Sequence, residues 1–252
     1  MARIDYDNQT AAAFKAAREV RRDGLAEWRE AIRRHLHPTP ETTLADVGAG
    51  TGQFAAAFTD WFGLDVIAVE PSASMRAQIP RRPGIQVLDG HASALPLPDG
   101  SADGVWLSCV VHHIPDLDVA VHEIRRVLRP GAPVLFRQVF PGRASRVELV
   151  RWFPETERTI DTFPSVEQVC QAFAAAGFRR DALEQVPQTN QASLQQFLAE
   201  TDILRQADTT MRGLTDEEFR RGKERLARAA LRAGQTASGE PRTSWLDLLV
   251  LR

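Results

Sequence analysis

Leu44-Ala45-Asp46-Val47-Gly48-Ala49-Gly50-Thr51-Gly52-Gln53-Phe54 is the stretch that decides the fold. A short apolar run broken by one acid leads into three alternating glycines. Phe54, Phe58, Trp61 and Phe62 then recur at helical spacing. The pattern reads as strand, tight turn and helix. Glycines suit such a turn because they accept positive φ and let a ligand lie against bare backbone. The helix behind them offers unpaired N–H groups and the positive end of a dipole. A dinucleotide fingerprint spaces its glycines G-x-G-x-x-G, whereas this turn reads G-x-G-x-G with Asp46 ahead of it. With no phosphate to cradle, an acid at that point is placed to hold a cationic ligand group.

Working outward, 65–69 is a near-continuous apolar run that suits a parallel strand buried on both faces. It ends at Glu70 and Pro71, about 20 residues beyond the turn, where a carboxylate chelates ribose hydroxyls in a Rossmann site. A short helix over 72–79, a strand over 84–88 and a strand over 102–107 closing with Ser108 follow. A helix over 117–128 ends at Arg129-Pro130-Gly131, and a fifth strand comes after that turn. Strands alternating with helices through 44–139 predict an α/β, doubly wound parallel sheet, with ligands at the carboxyl ends of its strands.

The glycine turn resembles motif I of the class I S-adenosylmethionine (SAM) methyltransferases. Gly90, Ala92, Leu95 and Pro96 match that family's Gly-Asp-Ala-x-x-Leu-Pro segment around the adenine pocket. His91 departs from it, standing where an Asp often reaches the adenine amino group. RRVLRPGAPVLFRQVF, over 125–140, resembles the segment that leads into strand five. The likeness covers about 44–140 and is nearest the ubiquinone/menaquinone-type and secondary-metabolite branch. It implies a Rossmann-like seven-stranded sheet with the last strand antiparallel. It also implies SAM as cofactor, with S-adenosylhomocysteine as product, bound by Tyr6, Asp46, Gly48, Ala49, Gly50, Thr51, Gly52, Glu70, Pro71, Met75, Gly90, His91, Ala92 and Ser108.

The flanking segments are where acceptor specificity is expected. Residues 1–43 read as an N-terminal helical extension, with helices over 11–20 and 25–36 split near Asp23-Gly24. Within it Tyr6, the only tyrosine, either covers the sulfonium or substrate, or anchors the helix to the core. Residues 44–252 form the SAM-binding domain with two cap segments. In the first, 140–165, a loop and short helix cover the substrate end. A helix over 165–177 capped by Ser165, and strands over 182–186 and 245–250, complete the sheet. The second cap segment, 187–240, interrupts what is otherwise a direct strand pair. Helices over 193–204 and 215–233 are expected to fold back over the site as a lid, and 233–241 to be a polar loop.

Composition narrows the classes. A chain of 252 residues with net charge −2 and no basic run disfavours a nucleic-acid substrate. No Asn/Asp-Pro-Pro-Tyr follows strand four, which disfavours nucleobase and glutamine methylation. Cys109 and Cys170 are too few for a metal site or a disulfide framework, and no H-x-E or C-x-x-C cluster appears, so no metal is expected. Cys109, in an apolar stretch, is expected to be a small buried residue. MARIDYDNQT does not read as a signal peptide, and no apolar run approaches bilayer length, so the expectation is a cytoplasmic protein with no membrane partner.

Methyl transfer is an in-line displacement at an activated carbon. The protein must place the acceptor atom about 3 Å from the methyl and remove a proton where the acceptor carries one. His112 and His113 are the candidate bases, since imidazole titrates near neutrality; a backbone-capping role is the alternative. As adjacent residues they are expected to point apart, with at most one facing the substrate. Arg18 and Arg137 are candidates for a substrate carboxylate. Trp152, Phe153 and Phe163 are candidates to line an acceptor pocket, although packing within the cap explains them equally well. The expected function is transfer of a methyl group to O, N or C of a small organic molecule. Two alternatives are a SAM-binding fold used as a cyclase or non-catalytic module, and a nicotinamide oxidoreductase.

Overall fold

The fold was described from a computed structural model, covering Ala11, Lys15, residues 20–233 and residues 242–252. Seven strands form one sheet in the order β3-β2-β1-β4-β5-β7-β6. They are β1 (Thr43–Val47), β2 (Asp65–Val69), β3 (Ile85–Leu88), β4 (Gly104–Ser108), β5 (Val134–Gln138), β6 (Arg180–Asn190) and β7 (Arg242–Leu251). β1 to β5 run parallel, and β7 is antiparallel to both neighbours. The chain reverses strand order at β1/β4, which puts a crevice at the carboxyl ends of those two strands.

Strand alternation sorts side chains to two faces. Leu44 and Trp106 pack with Trp28 and Ile32 of α1 (Ala26–Leu36) and with Phe54 and Phe58 of α2 (Gln53–Phe62). Ala45, Val47, Val105 and Leu107 meet the opposite layer, α4 (Leu117–Val127) and α7 (Val166–Ala175). A short α3 (Ala73–Arg76) lies between β2 and β3. Trp106 is fully buried, with its ring 4.9 Å from Phe54, 5.4 Å from Phe58 and 6.1 Å from Trp28.

Among the described residues most regular elements fall within a residue or two of where periodicity puts them; the helix expected over 11–20 and the polar loop expected over 233–241 lie almost wholly outside the described residues. The exceptions have physical reasons. Helix 72–79 shrinks to four residues, capped by Ser72 and followed by turns into Pro80. β4 starts at Gly104 because Ala102 forms only an isolated bridge to Leu128. β6 and β7 each run several residues further than their apolar centres, since they pair with one another over their whole length. Ser165 caps α7 in a full capping box with Gln168.

After β5 the chain turns through short helices, among them α5 (Glu148–Trp152) and α6 (Glu157–Ile160). Between β6 and β7 come α8 (Leu194–Ala207), α9 (Thr209–Arg212) and α10 (Asp216–Ala233); α9 has no counterpart in the sequence reading. The two segments share a hydrophobic core of their own, including Trp152, Phe153, Phe197, Leu204, Met211 and Phe219. Arg242 fastens them to the sheet, donating to Glu148 at 2.5 and 2.9 Å and to the carbonyls of Ala192 and Ser193. No described helix is long and apolar enough to cross a membrane. Trp106→Ala should destabilise the fold by about 3–5 kcal/mol in chemical denaturation, the cost of an unfilled aromatic cavity; a loss below about 1 kcal/mol contradicts this packing.

Candidate active site

The carboxyl ends of β1, β2, β4 and β5 open into a cavity of about 990 Å³, at the upper end of small-molecule pockets. Its floor is the glycine turn. Gly48, Gly50 and Gly52 all have positive φ (73°, 58° and 79°). A Cβ on Gly48 meets Val110 at 2.4 Å, so that position tolerates no side chain. A Cβ on Gly50 meets nothing closer than Met75 Cε at 4.0 Å, which leaves the backbone open to a ligand. The turn is tied to β2: Val69 O accepts from the N–H of Gly48 and of Ala49. Glu70 completes the tie, accepting from Gly50 N at 2.8 Å and from Ser72 N at 2.9 Å.

Asp46 is 1 % exposed, on the α2 side of β1, and its Oδ2 has no partner among the described residues. Burial and the nearby Glu70 carboxylate push its pKa up to about 7, against the backbone N–H of Ala55, which favours the charged form. An orphaned acid between two walls of a pocket suits a cation, whose arrival restores the ionised form.

The sequence candidates sort as follows. Asp46, Gly48, Ala49, Gly50, Thr51, Glu70, Pro71, Met75, His91, Ala92 and Ser108 all border the cavity. Gly52 and Gly90 do not. Gly52 caps α2, and a Cβ there meets Ile79 at 2.8 Å; Gly90 packs on Pro96, where a Cβ falls 2.6 Å from Cδ. Tyr6 and Arg18 lie outside the described residues. Arg137 reaches the cavity, 9 % exposed, 5.4 Å from the Trp28 ring and 5.2 Å from the Phe54 ring. It donates to Ser108 Oγ at 3.2 Å and to Gln188 Oε1. Cys109 is half-buried beside it, at a positive φ of 53°, and borders the cavity while packing against the aromatic core.

Two expectations about the acceptor side change. His112 and His113 do not diverge. They share a 3₁₀ turn (Val111–His113), their rings are 4.1 Å apart, and both border the cavity. The rule that neighbours point apart belongs to extended strands, not to a tight turn. Trp152 and Phe153 lie outside the cavity wall: Phe153 stacks on Phe219 above Gly222, inside the cap core. Phe163 does line the cavity, and stacks on His112 at 4.0 Å and 11°.

Sequence reasoning missed Gln138, Gln188, Asn190 and Arg242, all on the wall. Gln188 and Asn190 continue the face of β6 that carries Val186, so polar residues at period two were the available signal. α8 and α9 contribute Phe197, Leu204 and Asp208–Thr210 to the same wall, so the 187–240 insertion does reach the cavity. Among the described residues no group of three or more His, Cys, Asp or Glu is arranged to hold a metal.

This architecture is that of a methyltransferase fold, and comparison agrees. Residues 45–136 match the family described as "Methyltransferase domain". A malonyl-[acyl-carrier protein] O-methyltransferase of Methylococcus capsulatus is 35% identical over 159 residues, covering 60% of this chain and 56% of that protein. A solved structure from Anabaena variabilis, described as a methyltransferase of an antibiotic biosynthesis pathway, matches with TM-score 0.69 and 22% identity, over 89% of this chain and 96% of that one. Geranyl diphosphate C-methyltransferase of Streptomyces coelicolor, solved with S-adenosyl-L-homocysteine, matches at TM-score 0.55 and 17% identity over 89% and 75%. Over residues 45–136 the chain is similar to this methyltransferase family. It spans about half the length of the curated relatives it matches.

The raised acid has a consequence for stability. Folded Asp46 keeps its proton to about pH 7, whereas the unfolded chain releases it near 3.8. Its effect on stability therefore turns unfavourable as pH rises from about 4 through 7, and stays so above that. Ligand-free Asp46→Asn should lose this slope and gain melting temperature relative to wild type at pH 8 but not at pH 4. Parallel melting curves for the two proteins across that range contradict the placement.

Proposed function

We propose that the chain is a SAM-dependent methyltransferase acting on O, N or C of a small organic molecule, a secondary metabolite or quinone-like compound. The observation that carries this reading is a bare-backbone turn between two buried carboxylates, open to a cavity with a second, separately built half. When bound, SAM supplies a methyl group on a sulfonium, already activated for displacement.

The chain's own residues supply the rest. Glu70, on the cavity wall, takes the ribose hydroxyls. Gly48 to Thr51 let the ligand lie on the main chain, and Asp46 faces the cationic end. Ser108 borders the methionine end. Pro71 and Met75 flank the adenosine, and His91 and Ala92 lie along the adenine. With His91 in place of the family's acid, the adenine is held there mainly by main-chain groups.

The other half of the cavity receives the acceptor. Val150, Ile160, Phe163, Phe197 and Leu204 make it apolar on the cap side, while Arg137, Gln188 and Asn190 are polar on the sheet side. Segments 140–165 and 187–240 act together as a cap that shapes this half and excludes water. Residues 1–43 form an N-terminal extension to the domain at 44–252. Arg137, His112 and His113 contact the acceptor; proximity and orientation account for much of the rate when the acceptor is already nucleophilic.

Glu70→Ala and Asp46→Ala should each weaken SAM binding by about 1–3 kcal/mol in calorimetric titration, the scale of losing hydrogen bonds to a charged group. Unchanged affinity in both variants refutes the placement of the cofactor. Formation of S-adenosylhomocysteine with an acceptor separates methyl transfer from a cyclase or a binding module, neither of which releases it. Tight NADH binding without SAM binding overturns the reading altogether.

A further inference from the structure

β6 and β7 run on past the end of β5 and carry a polar patch into the acceptor half of the cavity. Gln188 and Asn190 lie two residues apart on β6, so they share one face of the sheet, and Ser244 and Arg242 of β7 sit directly across from them. All four border the cavity. The partners of the two carboxamides fix which way each is turned. Gln188 Oε1 accepts from the Arg137 guanidinium, and Asn190 Oδ1 accepts from the backbone N–H of Ala192 at 2.9 Å. Both of those groups only donate, so each carboxamide faces its partner with its oxygen. The NH₂ ends are turned the other way, donate to no described residue, and are not sealed from the cavity. The charged groups nearby are already engaged. Arg242 is held by Glu148 and by the carbonyls of Ala192 and Ser193, and Arg137 also donates to Ser108 Oγ and Cys109 Sγ. Asp208, on the cap side, accepts from the N–H groups of Thr210 and Met211.

We propose that Gln188 and Asn190 are specificity-determining residues for the methyl acceptor, their NH₂ groups reading a carbonyl oxygen on an otherwise apolar, uncharged molecule. This rests on the methyltransferase reading for calling that molecule a methyl acceptor, though not for the recognition itself. A carbonyl oxygen gives the two donors a partner at small desolvation cost. A ligand with only C–H groups at that point strips the donors of water and leaves them unserved, which is how a hydrogen-bonding site rejects a near-isostere. An ammonium sets donor against donor. A carboxylate suits the donors but brings its charge into a half whose cap side is largely apolar, with Val150, Ile160, Phe163, Phe197 and Leu204 on the wall. Both carboxamides stand on a paired strand and are tied at their oxygens, so their donors are set before the ligand arrives.

The test is equilibrium dialysis of the full chain, with and without S-adenosylhomocysteine, against naphthalenes of matched size: 2-acetylnaphthalene, 2-isopropenylnaphthalene, 2-naphthylmethylammonium and 2-naphthoate. The ketone should bind about tenfold tighter than the alkene or the ammonium, and no weaker than the carboxylate. Gln188→Glu and Asn190→Asp keep the oxygen that Arg137 or Ala192 donates to and exchange the NH₂ for a second oxygen. A merely structural role survives those exchanges, whereas recognition does not. Ketone affinity should fall roughly tenfold in each, the ammonium should gain, and S-adenosylhomocysteine affinity should stay within about twofold. Gln188→Met removes the donor without adding charge, and should shrink the preference for ketone over alkene without helping the ammonium. Equal binding of ketone and alkene, tighter binding of the carboxylate, no binding of the ketone, or an unchanged preference in both acid variants overturns the proposal. The wild-type series decides by itself if a variant does not fold. A ketone preference in a protein that does not bind S-adenosylhomocysteine leaves the recognition standing and removes the methyltransferase reading. Binding of S-adenosylhomocysteine without a ketone preference does the reverse.

Discussion

The site depends on how the end of β2 holds the glycine turn. Two N–H groups go to the carbonyl of Val69, and Gly50 N goes to the carboxylate of Glu70. These bonds fix a stretch of backbone that has no side-chain packing of its own. Without them, three alternating positive-φ glycines cost conformational entropy with nothing to offset it. The Glu70 carboxylate thereby has a structural duty as well as a place in the cavity wall. Its charge also reaches Asp46, whose carboxyl keeps its proton well above the ordinary carboxylate range.

Beneath the turn, the aromatic cluster of Trp28, Phe54, Phe58 and Trp106 makes a stiff floor. Arg137 lies over two of those rings and bridges to Ser108 and Gln188, so the acceptor half and the cofactor half share one foundation. The cap is built differently. It has a separate core and meets the sheet largely through polar clips, of which Arg242 to Glu148 is the most enclosed. Such a division lets the cap vary its wall without disturbing the turn.

The stretch 44–140 was legible because its elements announce themselves: apolar runs of strand length, a glycine turn, helices ended by Gly or Pro. Glu70 and Asp46 could be singled out because an acid at a buried strand end needs a reason. Elsewhere the local pattern carried less. Aromatic spacing could not say which of two cores Trp152 and Phe153 would join, and they joined the cap. The ends of β6 and β7 were hidden by their polar residues, which face the cavity or the partner strand. Gln138 gave no signal at all, since a lone glutamine after an apolar strand reads as a strand end. Only the fold brings its amide to 3.2 Å from His112 Nδ1.

The histidine pair shows the same limit from the other side. Residue type suggested a base, and the Gln138 amide 3.2 Å from His112 Nδ1 is invisible in one dimension. Tautomer is a property of the partner as much as of the ring.

A crystal of the protein soaked with S-adenosylhomocysteine tests the central claim most directly. The account predicts the ribose hydroxyls on Glu70, the main chain at Gly50 against the ligand, and the amino-acid end toward Asp46 and Ser108. A ligand found elsewhere, or a turn closed by the protein's own side chains at saturating ligand, contradicts it.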